Sequence, residues 1–403
     1  MEYQLNKNVV LVCGKVNGAI YNFESTKVYS INKVGKDIIL KFIKKCKLNH
    51  EEQDYINELI DESLMSPDFE PYEIYNDYTK PIPKLEMAWL EVTEACNLKC
   101  IHCYEGNCHK KFENGLNLEK RKNIIDQLDI LNVKRVIVIG GEPCCYPNII
   151  DLIDYCGTKK FETTLFTNAT FMTEKLIEAI KKANVKVKIS IYAGNSELHD
   201  KITTIKGAFN KMDDNILRLK SMNINVSASI ILMKENQFEL DRIKDYIKSR
   251  GISYGGYDII RNVFGGSQSI HTPDNFDIIA PKYFAKPSFK ANYDTFVNNH
   301  FVNSCWFGKI AIQEDGNIIP CVFHRNISLG NVNKNSIYEI INSKETFNCW
   351  YYNFDKVNEC CFCEFRFACK DCRAIGFGVS GNINEKNPRC LYTPSLGKWE
   401  EIK

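Results

Sequence analysis

Cysteine placement is the feature that most limits how this chain can fold. The sequence has 18 cysteines in 403 residues. One group lies within residues 96–108, another lies within residues 305–390, and none occurs between Cys156 and Cys305. The N-terminus lacks the basic and then apolar stretch of a secretion signal, so we expect a cytoplasmic protein, in which disulfides are rare. Closely spaced thiols in that setting predict metal sites.

The remaining composition argues against several classes of protein. The net charge is only +2, which gives no electrostatic reason to expect a nucleic acid or membrane partner. No run of about 18 apolar residues occurs, so no transmembrane helix is expected. The chain is long enough, at 44% hydrophobic residues, for a large core with one or two added modules.

Residues 1–70 have the pattern of a small module. The alternating segments NVVLVCG, GAIYNF and TKVYSI predict three strands. Amphipathic patterns predict helices over about residues 34–45 and 51–64. This order resembles the winged-helix domains that recognise leader peptides in peptide-modifying systems and take up a peptide as an added strand. A plain packing module is the alternative. Residues 71–84, with three prolines, are predicted to be a linker.

From residue 85 to about 300, predicted strands and helices alternate. The strand candidates are MAWLEVT, KRVIVIGG, ETTLFTN, VKVKISIY, NVSASIILM and SYGGYDII. Helices are predicted to begin near Leu118, Pro147, Thr173, Ala208 and Gln237. Six such repeats predict an α/β fold, a partial (β/α)6 barrel similar to a TIM barrel, with its site at the C-terminal ends of the strands. Residues 261–300 are expected to be an irregular connector.

The stretch CNLKCIHCY, residues 96–104, directly follows the first of these strands. Three thiolates on one short loop, from Cys96, Cys100 and Cys103, can ligate three irons of a cubane [4Fe–4S] cluster and leave the fourth iron open for chemistry. This C-x3-C-x2-C spacing resembles the radical S-adenosylmethionine (SAM) enzymes, although His102 stands where an aromatic residue is common. The resemblance implies that SAM is held against the open iron and that Tyr104 lies near its adenine.

A second part of the resemblance is KRVIVIGGEP, which ends the second predicted strand at Gly140, Gly141, Glu142 and Pro143. Glycines let a backbone approach a ligand closely, and in radical SAM enzymes this motif contacts the amino group of the methionine moiety. The alternative is an ordinary turn. Its position one β/α unit after the cysteine loop, where the family has this motif, favours the functional interpretation.

Polar residues at later strand ends are weaker candidates. Ser190 and then Asn168 are the best placed for the ribose hydroxyls or the methionine carboxylate of SAM, and either could be only a turn residue. The segment HDKITTIKGAF, residues 199–209, resembles a family segment, but Thr203 stands where many members have arginine. Lys206 would then supply the cation, or the carboxylate contact is lost.

The second cysteine group resembles the SPASM domain, which carries auxiliary iron–sulfur clusters. The family pattern is C-x9–15-G-x4-C, then C-x2-C-x5-C-x3-C and a final cysteine, and the sequence departs from it only at Cys372, which follows Cys369 at x2. The resemblance implies an outer cluster held by Cys360, Cys363, Cys369 and Cys390. It implies an inner cluster held by Cys305, Cys321 and Cys372.

Several cysteine assignments have alternatives. Paired C-x2-C spacings also fit zinc, although the accompanying motifs favour iron–sulfur. The inner set has three thiolates, which leaves a second open iron unless Cys349 or Cys361 completes it. Cys108 is not expected to be a ligand, since a fourth thiolate would block the radical site. The remaining cysteines are expected to pack in the core: Cys13, Cys46, Cys144, Cys145 and Cys156.

The combined resemblance implies a radical SAM peptide maturase with three [4Fe–4S] clusters and SAM. Its expected partners are a ribosomally made precursor peptide, bound through the N-terminal module, and a flavodoxin or ferredoxin-type electron donor. The first choice of product is a thioether to a substrate cysteine held on the inner cluster, as in sactipeptides and ranthipeptides. A carbon–carbon crosslink or an epimerisation would use similar machinery. A sulfatase-maturase type of oxidation is the other alternative, and it would use an acid such as Asp258 or Asp277.

Overall fold

The computed structural model of the chain describes residues 1–74, 78–104, 115–261, 270–275 and 289–400. The chain divides into two compact units, which we describe separately. The first unit comprises Met1–Ile82, Tyr283–Cys305 and Tyr351–Lys403, and the second comprises Pro83–Lys282 and Trp306–Trp350. These units do not coincide with the domain limits of the sequence analysis (1–70, 85–300 and 301–403), which remain predictions.

The helices and strands follow one another along both units. In chain order the strands are β1 (Glu2–Asn6), β2 (Val9–Cys13), β3 (Gly18–Asn22), β4 (Lys27–Ile31), β5 (Tyr72–Glu73), β6 (Met87–Glu91), β7 (Arg135–Ile139), β8 (Glu162–Thr167), β9 (Lys186–Ile191), β10 (Val226–Leu232), β11 (Ser253–Ile259), β12 (Lys309–Ile312), β13 (Asn317–Ile319), β14 (Gly330–Asn331), β15 (Tyr392–Thr393) and β16 (Lys398–Trp399). The helices are α1 (Lys33–Ile43), α2 (His50–Asp61), α3 (Leu118–Ile130), α4 (Ile149–Cys156), α5 (Glu174–Lys182), α6 (Ser196–Thr203), α7 (Ala208–Ser221), α8 (Leu240–Ser249), α9 (Tyr293–Phe301), α10 (Ile337–Ile341), α11 (Lys344–Trp350) and α12 (Arg373–Ser380).

The N-terminal part of the first unit is an antiparallel sheet with two helices. Its strand order is β4-β3-β2-β1-β5. Asn32 caps α1 by accepting from Gly35 N, and Asn49 forms a capping box with Glu52 at the start of α2, so N–H groups that lack partners within each helix are satisfied. The three predicted strands and both helices are confirmed. β1 and β5 are additional strands, and β5 lies in the segment predicted to be a linker.

Strand β2 is buried on both faces. Val9 and Leu11 pack with α1 and α2, whereas Val10 and Val12 point to the opposite face, because side chains alternate along a strand. The second face packs against residues from α9 and from the C-terminal, cysteine-rich segment: Phe296, Phe365, Phe367 and Tyr392. The uninterrupted apolar run of β2 is therefore the sequence of a strand that is covered on both sides.

The second unit contains a nine-stranded sheet in the order β11-β10-β9-β8-β7-β6-β12-β13-β14. Strands β6 to β11 are parallel neighbours, linked through α3 to α8, and β12 pairs in parallel with β6. The remaining two strands are antiparallel. The carboxyl ends of β6 to β11 consequently lie at one edge of the sheet, which is where a parallel α/β fold carries its site.

The predicted fold class is confirmed, since all six predicted strands and their helices are present. Three short strands extend the sheet beyond the prediction, from residue 309 to residue 331. Helix α6 is also additional. In the described part of the chain, none of the helices has the length and apolar character needed to cross a lipid bilayer.

The shared core of the first unit can be tested at Tyr21. Its buried ring lies 4.9 Å from the ring of Phe296, and its hydroxyl donates to Glu364 O at 2.8 Å. We expect Tyr21→Ala to lower the free energy of unfolding by about 3–5 kcal/mol, because a large buried ring is lost. Tyr21→Phe should cost about 1 kcal/mol, because only the hydrogen bond is lost.

Differential scanning calorimetry of the three proteins measures this difference. Tyr29→Ala is the control, because Tyr29 lies on β4, is only partly buried and packs with the helices instead. If Tyr21→Ala were no more destabilising than Tyr29→Ala, the second face of the sheet would not depend on this ring.

Candidate active site

The cysteine loop, residues 96–104, follows the C-terminal end of β6 and forms hydrogen bonds with the end of α6. Lys99 N donates to Thr203 O at 3.1 Å, and Ile101 N donates to Ile202 O at 3.0 Å. These two backbone hydrogen bonds fix the path of the loop between its cysteines. The three cysteines of the loop are all partly buried.

The thiols of the loop act on one another electrostatically. The pKa of Cys100 lies well above its usual range, mainly because of burial and then because Cys96 and Cys103 are near. A thiol in this position is protonated unless a metal ion binds its sulfur, because metal binding releases the proton. Three neighbouring thiols fit a cubane cluster, which takes one thiolate per iron. Among the residues that the structure describes, no three Cys, His, Asp or Glu side chains are grouped as they would be around a single ion.

The two-glycine turn after β7 packs directly on the start of the cysteine loop. Gly141 N donates to Thr93 O at 2.7 Å, and Glu142 N donates to Ala95 O at 2.8 Å. A methyl group at Gly140 would overlap the carbonyl oxygen of Thr93. A methyl group at Gly141 would overlap the carbonyl oxygens of Glu94 and Ala95. Both glycines are therefore needed for the close approach of two backbones, in addition to any approach to a ligand.

The carboxylate of Glu142 connects the ends of β7 and β8. It is fully buried, and burial raises its pKa. Oε1 accepts from Cys144 N at 3.0 Å and from Thr167 Oγ1 at 2.6 Å, and Oε2 accepts from Asn168 N at 2.7 Å. Three of about four acceptor positions are thus taken, and the thiol of Cys144 is a further hydrogen-bonding neighbour of this carboxylate. Pro143 begins the short 3-10 turn that follows.

The side chain of Asn168 holds the cysteine loop to the end of β8. Its Nδ2 donates to Asn97 Oδ1 at 3.0 Å, and Asn97 Nδ2 donates to Thr170 Oγ1 at 2.7 Å. The Oδ1 of Asn168 accepts from the backbone and hydroxyl of Thr170. Asn168 lies at the end of β8, at the edge of the sheet where the sequence predicts the site. Its hydrogen bonds position the cysteine loop.

The rings of one tyrosine and two histidines pack together near the cysteine loop. Tyr192 is buried, forms a hydrogen bond with Ser190, and has its ring 4.6 Å from His102 and 5.6 Å from His199. Burial lowers the pKa of both histidines to about 4, so both rings are neutral at physiological pH. Their Nδ1 atoms are buried without a hydrogen-bond partner among the described groups, which is a feature of sites that accept a ligand.

The side chains of the HDKITTIKGAF segment, residues 199–209, mainly make contacts that stabilise the fold. His199 lies within α6, and Asp200 accepts from Gly207 N at 2.6 Å and from Phe209 N at 2.9 Å, which stabilises the start of α7. Thr203 is buried and donates to His199 O at 2.9 Å. Its hydroxyl is therefore engaged within α6, and the side chain of Lys206 is exposed.

The segment after β13, which carries Cys321, is held at the end of β6. Arg325 makes two hydrogen bonds to Glu91, at 2.8 and 3.1 Å, and the ring of Phe323 lies 5.0 Å from that of Tyr104. The sequence analysis missed both members of this ion pair. The signal was present in MAWLEVT, since a buried acid within a parallel strand requires a charged partner.

The four cysteines predicted to hold the outer cluster lie together in the first unit. Burial raises the pKa of Cys369, and Cys360, Cys363 and Cys390 are among the nearby groups that raise it further. Burial also raises the pKa of Cys360 to about 12. Of the predicted inner ligands, Cys305 and Cys372 belong to the first unit and Cys321 to the second, so that set remains a prediction from sequence.

The other cysteines and acids have varied surroundings. Cys144 and Cys156 are buried, as the core interpretation requires, but Cys46 is exposed and that interpretation is wrong for it. Cys349 is buried and Cys361 is partly buried. Asp258 is paired with Arg261, whose guanidinium lies 4.8 Å from the ring of Phe323. Cys108 and Asp277 lie outside the described residues.

The role of Glu142 can be tested with Glu142→Gln. The NH2 group of the new glutamine would have to face one of the three groups that donate to Glu142. We therefore expect a loss of about 1–3 kcal/mol in stability and faster hydrogen exchange at the backbone amide of Asn168. Mass-spectrometric hydrogen exchange measures the second effect. Glu162→Gln, at the exposed start of β8 and paired with Lys186, is the control and should change stability by less than about 0.5 kcal/mol. Equal exchange in both variants would contradict the network.

Two family models match this chain. The Radical SAM superfamily matches residues 90–247, and SPASM, described as an iron–sulfur cluster-binding domain, matches residues 305–373. The first match covers the cysteine loop and the two-glycine turn. The second covers most of the C-terminal cysteines.

Individual proteins are similar to most of the chain. An AdoMet-dependent heme synthase of Methanosarcina barkeri is 24% identical over 342 residues, which are 77% of this chain and 97% of that protein. The antilisterial bacteriocin subtilosin biosynthesis protein AlbA of Bacillus subtilis is 27% identical, over 77% of this chain and 71% of that protein. The crystal structure of Streptococcus suis SuiB bound to precursor peptide SuiA superposes with a TM-score of 0.61 at 14% identity, over 97% of this chain and 100% of that one. At that identity the likeness concerns the fold alone.

Proposed function

We propose that this chain, which is a radical SAM enzyme with a SPASM domain, is a maturase of ribosomally made peptides. Its cofactors are SAM and [4Fe–4S] clusters. The name of AlbA, a bacteriocin biosynthesis protein, supports a peptide substrate. We place the reaction in the cytoplasm, where substrate thiols stay reduced.

The observation that carries the peptide proposal is the N-terminal sheet. β4 is its last strand, and among the described residues β4 pairs on its outer side only through Lys27 with Lys290. The backbone of a strand at a sheet edge can take up an extended peptide as one more strand. In this proposal, a precursor peptide is recognised at β4 and α1.

The cofactor contacts follow from the geometry of the second unit. Cys96, Cys100 and Cys103 hold the cluster that activates SAM. Glu142 attracts the amino group of SAM by its negative charge, and the backbone of the two-glycine turn lies beside it. The further contacts that we propose are Tyr104 in the cysteine loop, Asn168 after β8 and Ser190 in β9. The proposed auxiliary ligands are Cys360, Cys363, Cys369 and Cys390 for the outer cluster and Cys305, Cys321 and Cys372 for the inner cluster.

The product that we propose first is a thioether crosslink. When bound, the cofactors supply a 5′-deoxyadenosyl radical that takes a hydrogen atom from a peptide carbon. Closing a carbon–sulfur bond then also removes the proton of a cysteine thiol and one electron, which an iron–sulfur cluster accepts, so the peptide loses two hydrogens in total. The three-thiolate inner set supports this choice, because it leaves an iron for a substrate thiolate.

A tetrapyrrole substrate is the second candidate. It is favoured by the similarity to a heme synthase along nearly the whole of that relative. An iron porphyrin offered to the enzyme in place of a peptide distinguishes the two, since a change in the mass of the porphyrin would be visible by mass spectrometry.

The radical chemistry is tested by anaerobic incubation with dithionite and SAM. We expect 5′-deoxyadenosine from the reconstituted enzyme and none from the variant with Cys96, Cys100 and Cys103 all changed to alanine, because that loop then lacks its three thiolates. Liquid chromatography measures the nucleoside. Cys46→Ala, at an exposed cysteine, is the control and should retain the product. Activity in the triple variant would contradict the assigned loop.

The crosslink is tested by co-expressing the enzyme with a short cysteine-containing peptide encoded beside it. We expect the peptide to lose the mass of two hydrogens and to lose one alkylatable thiol. Mass spectrometry after iodoacetamide treatment measures both. The same mass loss with all thiols still alkylatable indicates a carbon–carbon bond, and an unchanged mass with altered chirality indicates epimerisation. Either result would exclude the thioether.

A further inference from the structure

An exposed aromatic ring lies within the loop that carries two of the proposed outer-cluster ligands. Phe362 stands between Cys360 and Cys363 and is 51% exposed. It belongs to a single 3-10 turn, Cys360–Phe362. A large ring at a solvent-facing position directly beside two thiolate ligands is not explained by packing in the core, and it offers apolar surface to a partner.

A second exposed apolar side chain is held next to this turn. Leu396 is 64% exposed. The turn between β2 and β3 touches both segments, because Lys15 N donates to Phe362 O at 3.0 Å and Asn17 Nδ2 donates to Gly397 O at 2.7 Å. The two apolar side chains therefore occupy one surface, on either side of a short turn.

The charge of this surface is positive. The ammonium group of Lys15 lies 5.2 Å from the centre of the Phe362 ring, and Lys398 is exposed two residues after Leu396. Of the acids in this region, Glu359 faces Lys386 at 3.4 Å, and Glu400, two residues after Lys398, accepts from Thr393 Oγ1 at 3.4 Å. Neither Lys15 nor Lys398 forms an ion pair within the part of the chain that the structure describes. The balance of charge thus favours an acidic partner.

We propose that this carrier surface, made of Lys15, Phe362, Leu396 and Lys398, docks a small acidic one-electron carrier protein. The carrier passes one electron to the cluster held by Cys360, Cys363, Cys369 and Cys390, so the carrier is oxidised by one electron and the cluster is reduced by one, with no proton moved. Interfaces of electron-carrier proteins are small, below about 1,200 Å². Two apolar side chains with a positive rim suit such an encounter, since charge raises the association rate while a small apolar centre keeps the complex short-lived.

The surface does not suit a nucleic acid, whose binding needs several cations along a backbone. It is also distinct from the peptide-binding edge proposed above. The inference rests on the predicted outer cluster, and it does not depend on which group of the peptide is modified.

The experiment uses a bacterial flavodoxin, an acidic protein with a flavin cofactor, as the carrier. Surface plasmon resonance measures its binding to the holoenzyme and to two variants, Lys15→Glu and Leu396→Ser. We expect flavodoxin to bind about tenfold more weakly to Lys15→Glu and measurably more weakly to Leu396→Ser. Lys7→Glu is the matched control, because Lys7 is an exposed lysine in the turn at the other end of β2, about 17 Å away along the strand. Its affinity should stay within about twofold of the parent.

A second measurement compares two reductants. With reduced flavodoxin, the rate of 5′-deoxyadenosine formation by Lys15→Glu should fall by about the same factor as the affinity of this variant for flavodoxin. With dithionite, the rate should equal that of the parent enzyme. Equal flavodoxin affinity in Lys15→Glu and Lys7→Glu would overturn the docking surface. A loss with both reductants, together with unchanged binding, would also overturn it. Failure of peptide modification in an enzyme that still forms 5′-deoxyadenosine would count against the proposed peptide substrate and leave the binding result intact.

Discussion

The contact on which the active site depends is the backbone packing of the β7 turn against the cysteine loop. Gly140 and Gly141 have no side chain, so the turn comes within hydrogen-bonding distance of Thr93 and Ala95. The approach also brings Glu142 under the end of β8, where it binds Asn168. Three strand ends are thereby tied together by bonds that need no ligand. The loop that carries the thiols is thus held before any cofactor arrives, and little conformational entropy remains to be lost on binding.

A second constraint governs the first unit. Because β2 is covered on both faces, the N-terminal sheet shares a core with Phe365 and Phe367, which lie between the cysteines of the C-terminal segment. The sheet that is proposed to recognise peptides and the loop that is proposed to hold a cluster therefore cannot fold independently. Changes in the packing of the sheet are transmitted through rigid side-chain contacts to residues adjoining Cys363 and Cys369. The module is a structural part of the cysteine-rich region in addition to its proposed binding role.

The parts of this structure that depend on local pattern could be predicted from the sequence. Period-two and period-3.6 apolar spacing identified the six parallel strands and most helices, and glycine and cysteine spacing identified the cysteine loop and the two-glycine turn. Elements of two or three residues, such as β5 and β13, have too little pattern to be detected. Partners far apart in sequence, such as Glu91 with Arg325 or Tyr21 with Glu364, depend on tertiary packing, which single-residue properties do not encode. Cys46 was misassigned because apolar character alone does not determine which side of a helix connection faces water.

The electrostatics of the cysteine loop explain what kind of ligand it can accept. Burial raises the pKa of Cys100 and of Glu142, and the nearby thiols Cys96 and Cys103 and the carboxylate of Glu142 raise that of Cys100 further. For the described residues, the largest influences on these two pKa values are burial, neighbouring acids and hydrogen bonds. An ionised thiolate or carboxylate in such surroundings is unfavourable until positive charge is brought in. In the proposed function, iron ions meet this requirement for the thiolates, and the ammonium group of SAM meets it for Glu142. The site favours cationic ligand groups because the fold places these acids where they are poorly solvated.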